Sequence, residues 1–553
     1  MQAYIESFIN IVGSHLIGPV FMVLLLGTGA FFTVYLGFPQ FRLFGRSLKL
    51  LLGMEKSSQK VGDTSPFRAL AIVLAGSIGA GSIVGVSIAV HVGGPGSLFW
   101  MWITAFLGMA TRMSEAIASH CYREKSAEGT MVGGPMYTMQ KGLNMRWLGV
   151  VFAVSTLITA FLAGNMPQVN AMSGILYFKW GISKTVTGFV ISGLVGAVIL
   201  GGVKRIGQVA GLLVPLMTFT YLALVTYVMV INYDKIIPSF VSVFTCAFAP
   251  APAVGGFLGA STSLIIIKGL QVGFFTNEAG VGSSAIAHCA SQEPSSGKVG
   301  ITSMLEPTIA TGFMCTLTVM AVLVSGSYTD KVFYKLDKTS IFVVQGDYTK
   351  NVKALQGHMK GDQVLSSYTG RLRIVDGKLP QNEPVTFLHA DGSVENVVIK
   401  RTQGGTDILF EGEILVQEGR IISFGDDGVV SFHEVTIEGA SLVNAQNLAL
   451  HTFSNNPLGG VMSLLMIICL LLFAFSTVVS FSYFGGRALM FLGFSRFLTV
   501  YKILYVLAIL LGAVSQTTIL WSFAVISCAM MAVPNLISIL LMREKIKERL
   551  DNS

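Results

Sequence analysis

Two runs of residues carry the atoms best placed to do chemistry. The first reads Ala75-Gly76-Ser77-Ile78-Gly79-Ala80-Gly81-Ser82-Ile83-Val84-Gly85. The second reads Gly273-Phe274-Phe275-Thr276-Asn277-Glu278-Ala279-Gly280-Val281-Gly282-Ser283-Ser284. Both sit in apolar surroundings and both contain Gly-x-Gly-Ser, at residues 79–82 and 280–283. The chemistry of such runs is that of the peptide group. Glycine allows irregular dihedrals and leaves room beside the chain. A helix interrupted at mid-depth frees N–H groups for a carboxylate and carbonyls for a cation. Close helix packing competes with this reading, because Gly81 and Gly85 also form a GxxxG pair.

Other polar residues in apolar runs are weighed the same way. Asn165, Gln168 and Asn170 crowd Pro167, which itself opens the backbone. Buried amides are costly unless bonded, so these either contact a ligand or tie helices together. Ser476, Thr477 and Ser480 are individually ordinary, since hydroxyls can bond their own helix. Glu278 is the most exceptional acid, deep in a glycine-rich break. It suits a structural cap or gate, or a proton site. Arg112 and Glu115 read as a local ion pair, and Lys268, His91 and His288 as groups at span ends that reach the interface.

These residues need a membrane to position them. Of 553 residues, 52% are hydrophobic and only 12% charged, against about a quarter charged in a soluble domain. Apolar runs of roughly 20 residues suffice to cross a hydrocarbon layer about 30 Å thick. They predict about eleven helical spans, near 17–38, 67–91, 97–119, 148–176, 185–203, 208–232, 262–289, 301–326, 459–484, 497–515 and 517–541. The turn around Ser515 and Gln516 is the weakest division. A β-barrel would show short alternating segments instead. The first run has no Lys or Arg before it and reads as a retained helix, not a cleaved signal. The six cysteines are scattered, without metal or disulfide spacing.

Lys and Arg in the short loops set the orientation. With the N-terminus outside, nineteen fall on the inner side, including Arg42, Arg46, Arg123, Lys204, Arg487 and the tail, against Lys179, Lys184 and Lys235 outside. The formal charge of +8 therefore reflects topology and implies no nucleic acid. The glycine-rich runs open two successive five-span sets. An odd number of spans per set inverts the second, and paired interruptions in inverted repeats point to a transporter's central site. The predicted order is an N-terminal helix and basic cytoplasmic loop (1–66), a first repeat (67–232), an outer connection (233–261), a second repeat (262–327 and 446–541) and a cytoplasmic tail (542–553). Residues 328–445 break the pattern with 12 Lys+Arg and 16 Asp+Glu. Their alternation of apolar and polar residues, with Asp376-Gly377 and Asp391-Gly392 as hairpin turns, predicts an inserted extracytoplasmic β-rich domain. Its partner is not legible. The fold class is an all-α polytopic membrane protein carrying that insertion.

Five ordered runs resemble the alanine/glycine:cation symporter family: Gly94 through Ala116, GGPMYT at 133–138, GNMPQVN at 164–170, FFTNEAGVGSSAIAHCA at 274–290 and FAFSTVVSFSYFGGRA at 473–488. The likeness covers roughly 17–327 and 450–541 and omits the insertion. It implies a leucine-transporter-like core of ten helices in a 5+5 inverted repeat, with one added N-terminal span. It also implies uptake of a small neutral amino acid, alanine or glycine, with sodium as coupling ion, no organic cofactor, and a place in the plasma membrane among lipid. The implied substrate pocket comprises Ser77, Gly79, Ala80, Gly81, Ser82, Gln168, Phe275 and Asn277, with Thr477 and Phe481 opposite. The implied sodium site uses backbone oxygens of Ala75 and Ile78 with the hydroxyls of Ser476 and Thr477. The chain departs from the family pattern at Ala80 and Ser82, at Ser480 and Phe481, at Gly486, and around Gln271 and Val272. Rival readings are a proton-coupled permease or exchanger, with Glu278 carrying the proton, and a membrane sensor reading a ligand through the β-rich insertion. An enzyme would need a nucleophile–base pair or acid cluster on the spans, and the sequence offers none that convinces.

Overall fold

The structure is a computed structural model that describes residues 19–55, 61–126, 129–251, 260–336, 338, 341–346, 348, 365–379, 384–389, 392–403, 406–425, 434–443, 445–515 and 517–553. Its helices follow the apolar runs. In chain order the longer ones that bear on the site are α1 (Pro19–Tyr35), α2 (Pro66–Ser77), α3 (Val84–Gly93), α4 (Ser97–Cys121), α5 (Arg146–Leu162), α6 (Met166–Trp180), α7 (Lys184–Ile199), α8 (Gly202–Ile231) and α9 (Ile236–Thr245). The second half contributes α10 (Thr262–Asn277), α11 (Ser283–His288), the helical run α12 (Ser296–Ser325), α13 (Ala445–Ser454), α14 (Gly459–Phe491), α15 (Leu498–Val514), α16 (Thr517–Leu541) and α17 (Arg543–Asp551).

Among the described residues, six helices are long and apolar enough to cross a membrane, counting α5 with α6 as one. The pair α2–α3 makes a seventh if taken as one span bent by 65°. Eleven spans are expected from the runs, and the difference has physical causes. α7 is apolar but short, and α1 is described only from Pro19 onward. α10 and α11 are separated by the second glycine run. α4 is 25 residues long but diluted by Thr104, Thr111, Arg112, Ser114 and Glu115, all buried. Helix faces turned outward are apolar, as at Phe189, Leu194, Phe219, Ile503 and Leu511, which suits lipid and not water. α15 and α16 are distinct helices on either side of residues 515–516.

Packing divides the helices into two groups. α4 packs along α10 and along the start of α12. α7 packs on α15, and α5 on α14 and α16. α2 lies between the groups, touching α14 on one side and, on the other, α11, which packs on α4. The terminal segment is no loose tail. α17 buries Ile546 and runs against α12, where the carbonyl of Arg549 and the side chain of Ser553 crowd Gly297.

Among the described residues of 331–442 there are ten antiparallel strands: β1 (Lys331–Leu336), β2 (Phe342–Gln345), β3 (Gly370–Ile374), β4 (Val385–His389), β5 (Gly392–Ser393), β6 (Glu395–Gln403), β7 (Thr406–Leu409), β8 (Gly412–Gln417), β9 (Arg420–Phe424) and β10 (Val435–Leu442). They pair in the orders β1-β10-β6-β7, β9-β8-β3 and β2-β4-β5. Phe387, Ile399, Phe410, Ile414 and Phe424 form a core separate from that of the helices. Asp376-Gly377 makes the expected turn, with both residues at positive φ. Asp391 lies outside the described residues. A third turn, Glu418-Gly419 between β8 and β9, has the same left-handed pair of dihedrals.

Candidate functional site

α2 begins on a built cap. Ser65 accepts from the Arg68 N–H, and Pro66 fits the first turn, where its missing N–H costs nothing. The helix stops at Ser77 because Ile78 turns out of helical geometry (φ −88°, ψ 73°). Only a single tight turn, Ala80–Ser82, separates it from α3. α10 mirrors this. Ser261 caps its start, and Glu278, Gly280 and Gly282 all take left-handed φ before α11 resumes. Both glycine runs are therefore real interruptions, as their composition predicts.

The first interruption collects most of the expected pocket. The Gln168 Oε1 accepts from the Ala80 N–H at 3.1 Å. A Cβ placed on Gly79 would lie 2.6 Å from the Thr477 Oγ1 and 3.0 Å from the Gln168 Oε1. A Cβ on Gly81 would lie 2.7 Å from the Phe275 ring. Ser82 donates back to the Ser77 carbonyl, orphaned by the helix end, at 3.4 Å, and its own carbonyl accepts from Thr318 at 3.3 Å. All these residues except Phe275 are buried.

Beside them lies a set of oxygens. The Thr477 Oγ1 is 2.9 Å from the Ala75 carbonyl and 3.1 Å from that of Phe473. The Ser476 Oγ is 3.3 Å and 2.9 Å from the same two atoms. The Ala75 carbonyl belongs to the last turn of α2, where helix ends leave acceptors without an intrahelical donor. Two carbonyls and two hydroxyls within bonding distance of one another suit a hard cation. Ile78 is adjacent, at the point where the backbone leaves the helix. No group of three His, Cys, Asp or Glu able to hold a metal occurs among the described residues, so any cation here is held by neutral oxygens.

Two expected pocket residues lie elsewhere. The Asn277 side chain faces α4, donating to Thr104 at 3.4 Å and accepting from the Ala279 N–H at 2.9 Å. Phe481 is one turn beyond Thr477, packed against Gly164 and edge-on to Phe484. Asn165 and Asn170 resolve as helix ties. Asn165 donates to the Tyr505 carbonyl at 2.7 Å, and Asn170 to those of Gly512 and Ser515 at 3.1 and 2.7 Å. Of the three amides, Gln168 alone reaches the interruption.

Glu278 belongs to a buried charge cluster under the second interruption. It accepts from Ser283 at 2.7 Å and lies 4.0 Å from Arg112. The fully buried Arg112 also pairs with Glu115 and Glu306, each at 3.2 Å, and donates twice to the Asn277 carbonyl, at 2.7 and 3.2 Å. Asn535 of α16 bonds Glu115 at 2.6 Å and the Gly280 carbonyl at 2.9 Å. The Arg112–Glu115 pair is thus present, but as part of a wider network. His288 corrects an expectation. It does not reach the interface; it is buried against Glu306 at 2.5 Å, because α11 turns its ring inward onto α12. Glu306 belongs to none of the motifs, although a lone acid in an apolar run is a sufficient signal.

The chain segments flanking the two broken elements are tied together. Val61, Asp63 and Thr64 exchange backbone hydrogen bonds with Ala290 and Gln292 at 2.8–3.1 Å. Arg123 donates to four carbonyls there, those of Val61, Cys289, Ser291 and Glu293. Hydrogen bonds to a charged group are worth about 1.5–3 kcal/mol. Arg123→Ala is therefore expected to loosen this seam and raise maleimide labelling of the buried Cys289 at least fivefold. Unchanged labelling would show that the backbone bonds alone hold it.

With that geometry established, the comparisons give the lineage. The profile of the "Sodium:alanine symporter family" matches residues 1–355 and 429–552. The interval between those matches falls within the strand-forming segment. The chain is 32% identical over 540 residues, 97% of its length and 94% of the relative's, to "Sodium/alanine symporter AgcS" of Methanococcus maripaludis. It is 33% identical over 328 residues, 59% of this chain and 67% of that one, to "Probable sodium/glutamine symporter GlnT" of Bacillus subtilis. A further match from that organism, "Putative sodium/proton-dependent alanine carrier protein YrbD", is 36% identical over 55% of this chain and 61% of its own. The interrupted helices and their oxygen set thus sit in a chain that belongs to the sodium:alanine symporter family.

Proposed function

We propose that the protein imports a small neutral amino acid, alanine or glycine, together with sodium by alternating access. The observation that carries this is the junction of Gly79–Ser82 with Gln168, Phe275 and Thr477, directly beside the oxygens of Ala75, Phe473, Ser476 and Thr477. None of these side chains ionises, which suits a zwitterion whose own side chain is uncharged. The closeness of Phe275 and Thr477 to two bare glycines favours a side chain of one carbon or none. Interrupted helices offer N–H groups to the carboxylate, and the cation offsets its negative charge. The two helix groups then move against one another about the fixed site. Each sodium entering gains about 2.3 kcal/mol per 100 mV of membrane potential. The N-terminus lies outside and the C-terminus in the cytoplasm, as the loop charges argue.

The bonding of Glu278 to Ser283 and its place beside Arg112 favour a cap over a proton carrier. Sodium dependence tests this reading. Thr477→Ala removes one oxygen of the set and is expected to raise the sodium concentration for half-maximal uptake at least tenfold, with a smaller change in apparent affinity for alanine at saturating sodium. Equal sodium dependence in the variant and the parent would exclude the oxygen set as the coupling site.

A further inference from the structure

A cavity with basic and aliphatic walls lies away from the interruptions, where the α7–α8 connection meets the last turns of α14 and the start of α15. Its volume is ≈ 130 Å³, against the ~10–15 Å³ that one buried water needs. Tyr483, Arg487, Lys502, Thr130 and Ser482 supply its polar lining, and aliphatic side chains of α7, α8 and α15 with Met490 supply most of the rest. Among the described residues, two cations and no carboxylate line it. Arg487 is nearly buried and only loosely neutralised. Among the described residues its carboxylate partner, Asp63, is 3.9 Å away and already accepts from the Met131 N–H at 2.9 Å. The guanidinium also donates to Thr130 at 3.0 Å and lies 5.0 Å from the centre of the Tyr483 ring. The Tyr483 hydroxyl is buried beside the Arg487 guanidinium without a partner in good hydrogen-bonding geometry, and a buried hydroxyl is costly unless something accepts from it or donates to it.

We propose that this cavity binds a phosphate-bearing anion, with an anionic phospholipid headgroup as its source. A phosphate brings several acceptor oxygens, enough for Arg487, Lys502 and the Tyr483 hydroxyl at once. The aliphatic walls and the outward residues beside Lys502, Ile503 and Leu504, both about half exposed, give an acyl chain an apolar course along α15. Basic pockets between helices on the cytoplasmic side are where such headgroups bind, and the loop-charge argument puts Arg487 on that side.

The test uses the full-length purified protein in detergent, read by its thermal unfolding midpoint. The additions are phosphatidylglycerol, phosphatidylcholine or inorganic phosphate. Phosphatidylglycerol is expected to raise the midpoint by several degrees beyond phosphatidylcholine. The concentration needed should increase at least fivefold in Lys502→Gln and at least threefold in Tyr483→Phe. Lys502 is partly exposed, so its variant should match the parent's midpoint in phosphatidylcholine; Tyr483→Phe keeps the ring and serves as the second variant. A response to inorganic phosphate that is lost in the same variants supports the anion site and assigns its source to soluble phosphate. Equal shifts with both lipids and none with phosphate, or shifts unchanged in both variants, would overturn the proposal.

Discussion

Gly79→Ala is expected to reduce amino acid uptake at least a hundredfold while leaving the protein folded in the membrane. The reasoning is steric. Gly79 has φ −102° and ψ −164°, a backbone that alanine adopts freely, so no dihedral strain enters. The added methyl lands 2.6 Å from the Thr477 Oγ1 and 3.0 Å from the Gln168 Oε1. One of the two must move, and both are fixed by other bonds: Thr477 to Ala75 and Phe473, Gln168 to the Ala80 N–H. Displacements near 1 Å at a binding site can cost about 10²-fold in rate. Gly81→Ala presses on the Phe275 ring, which can swing, so its loss should be smaller. Surface expression and the unfolding midpoint are the controls. Wild-type uptake by Gly79→Ala would show that the junction is only helix packing.

Arg112→Ala should have the largest effect on stability. It removes the guanidinium that pairs with Glu115, Glu278 and Glu306, and also two bonds to the Asn277 carbonyl. Breaking a buried ion pair by deleting one partner costs about 3–5 kcal/mol. The expected outcome is a protein that fails to accumulate or unfolds well below the parent. Adding Glu306→Gln to Arg112→Met should recover part of that loss, because groups in one network are not additive. A variant Arg112→Ala as stable as the parent would mean the cluster is not a structural fastening of the second interruption.

Much of this was legible because membrane helices advertise their exceptions. Both interruptions were visible as glycine density, since glycine is the residue that lets a buried backbone leave the helix. The turn at Asp376-Gly377 was visible because its left-handed dihedrals favour that pair, whereas Glu418-Gly419 has the same geometry with a residue less typical of turns. Partner choice was not legible. Asn165, Gln168 and Asn170 look equivalent along the chain, yet two turn to α15 and one to Ala80. Which face of a helix meets which neighbour is decided by packing between segments hundreds of residues apart. The same applies to His288, whose partner Glu306 lies on the next helical run. Asn277 had the right composition for a ligand contact, but the sharp turn at Glu278 directs it toward α4.

The central claim is that sodium and a small zwitterion share the site at the first interruption. It is tested most directly by uptake of labelled alanine into proteoliposomes containing the purified chain, with an inward sodium gradient, with no gradient, and with a pH gradient in sodium-free buffer. The account predicts concentrative uptake only with sodium, competed by unlabelled alanine or glycine and abolished by Gly79→Ala. Uptake driven equally well by the pH gradient without sodium would contradict it.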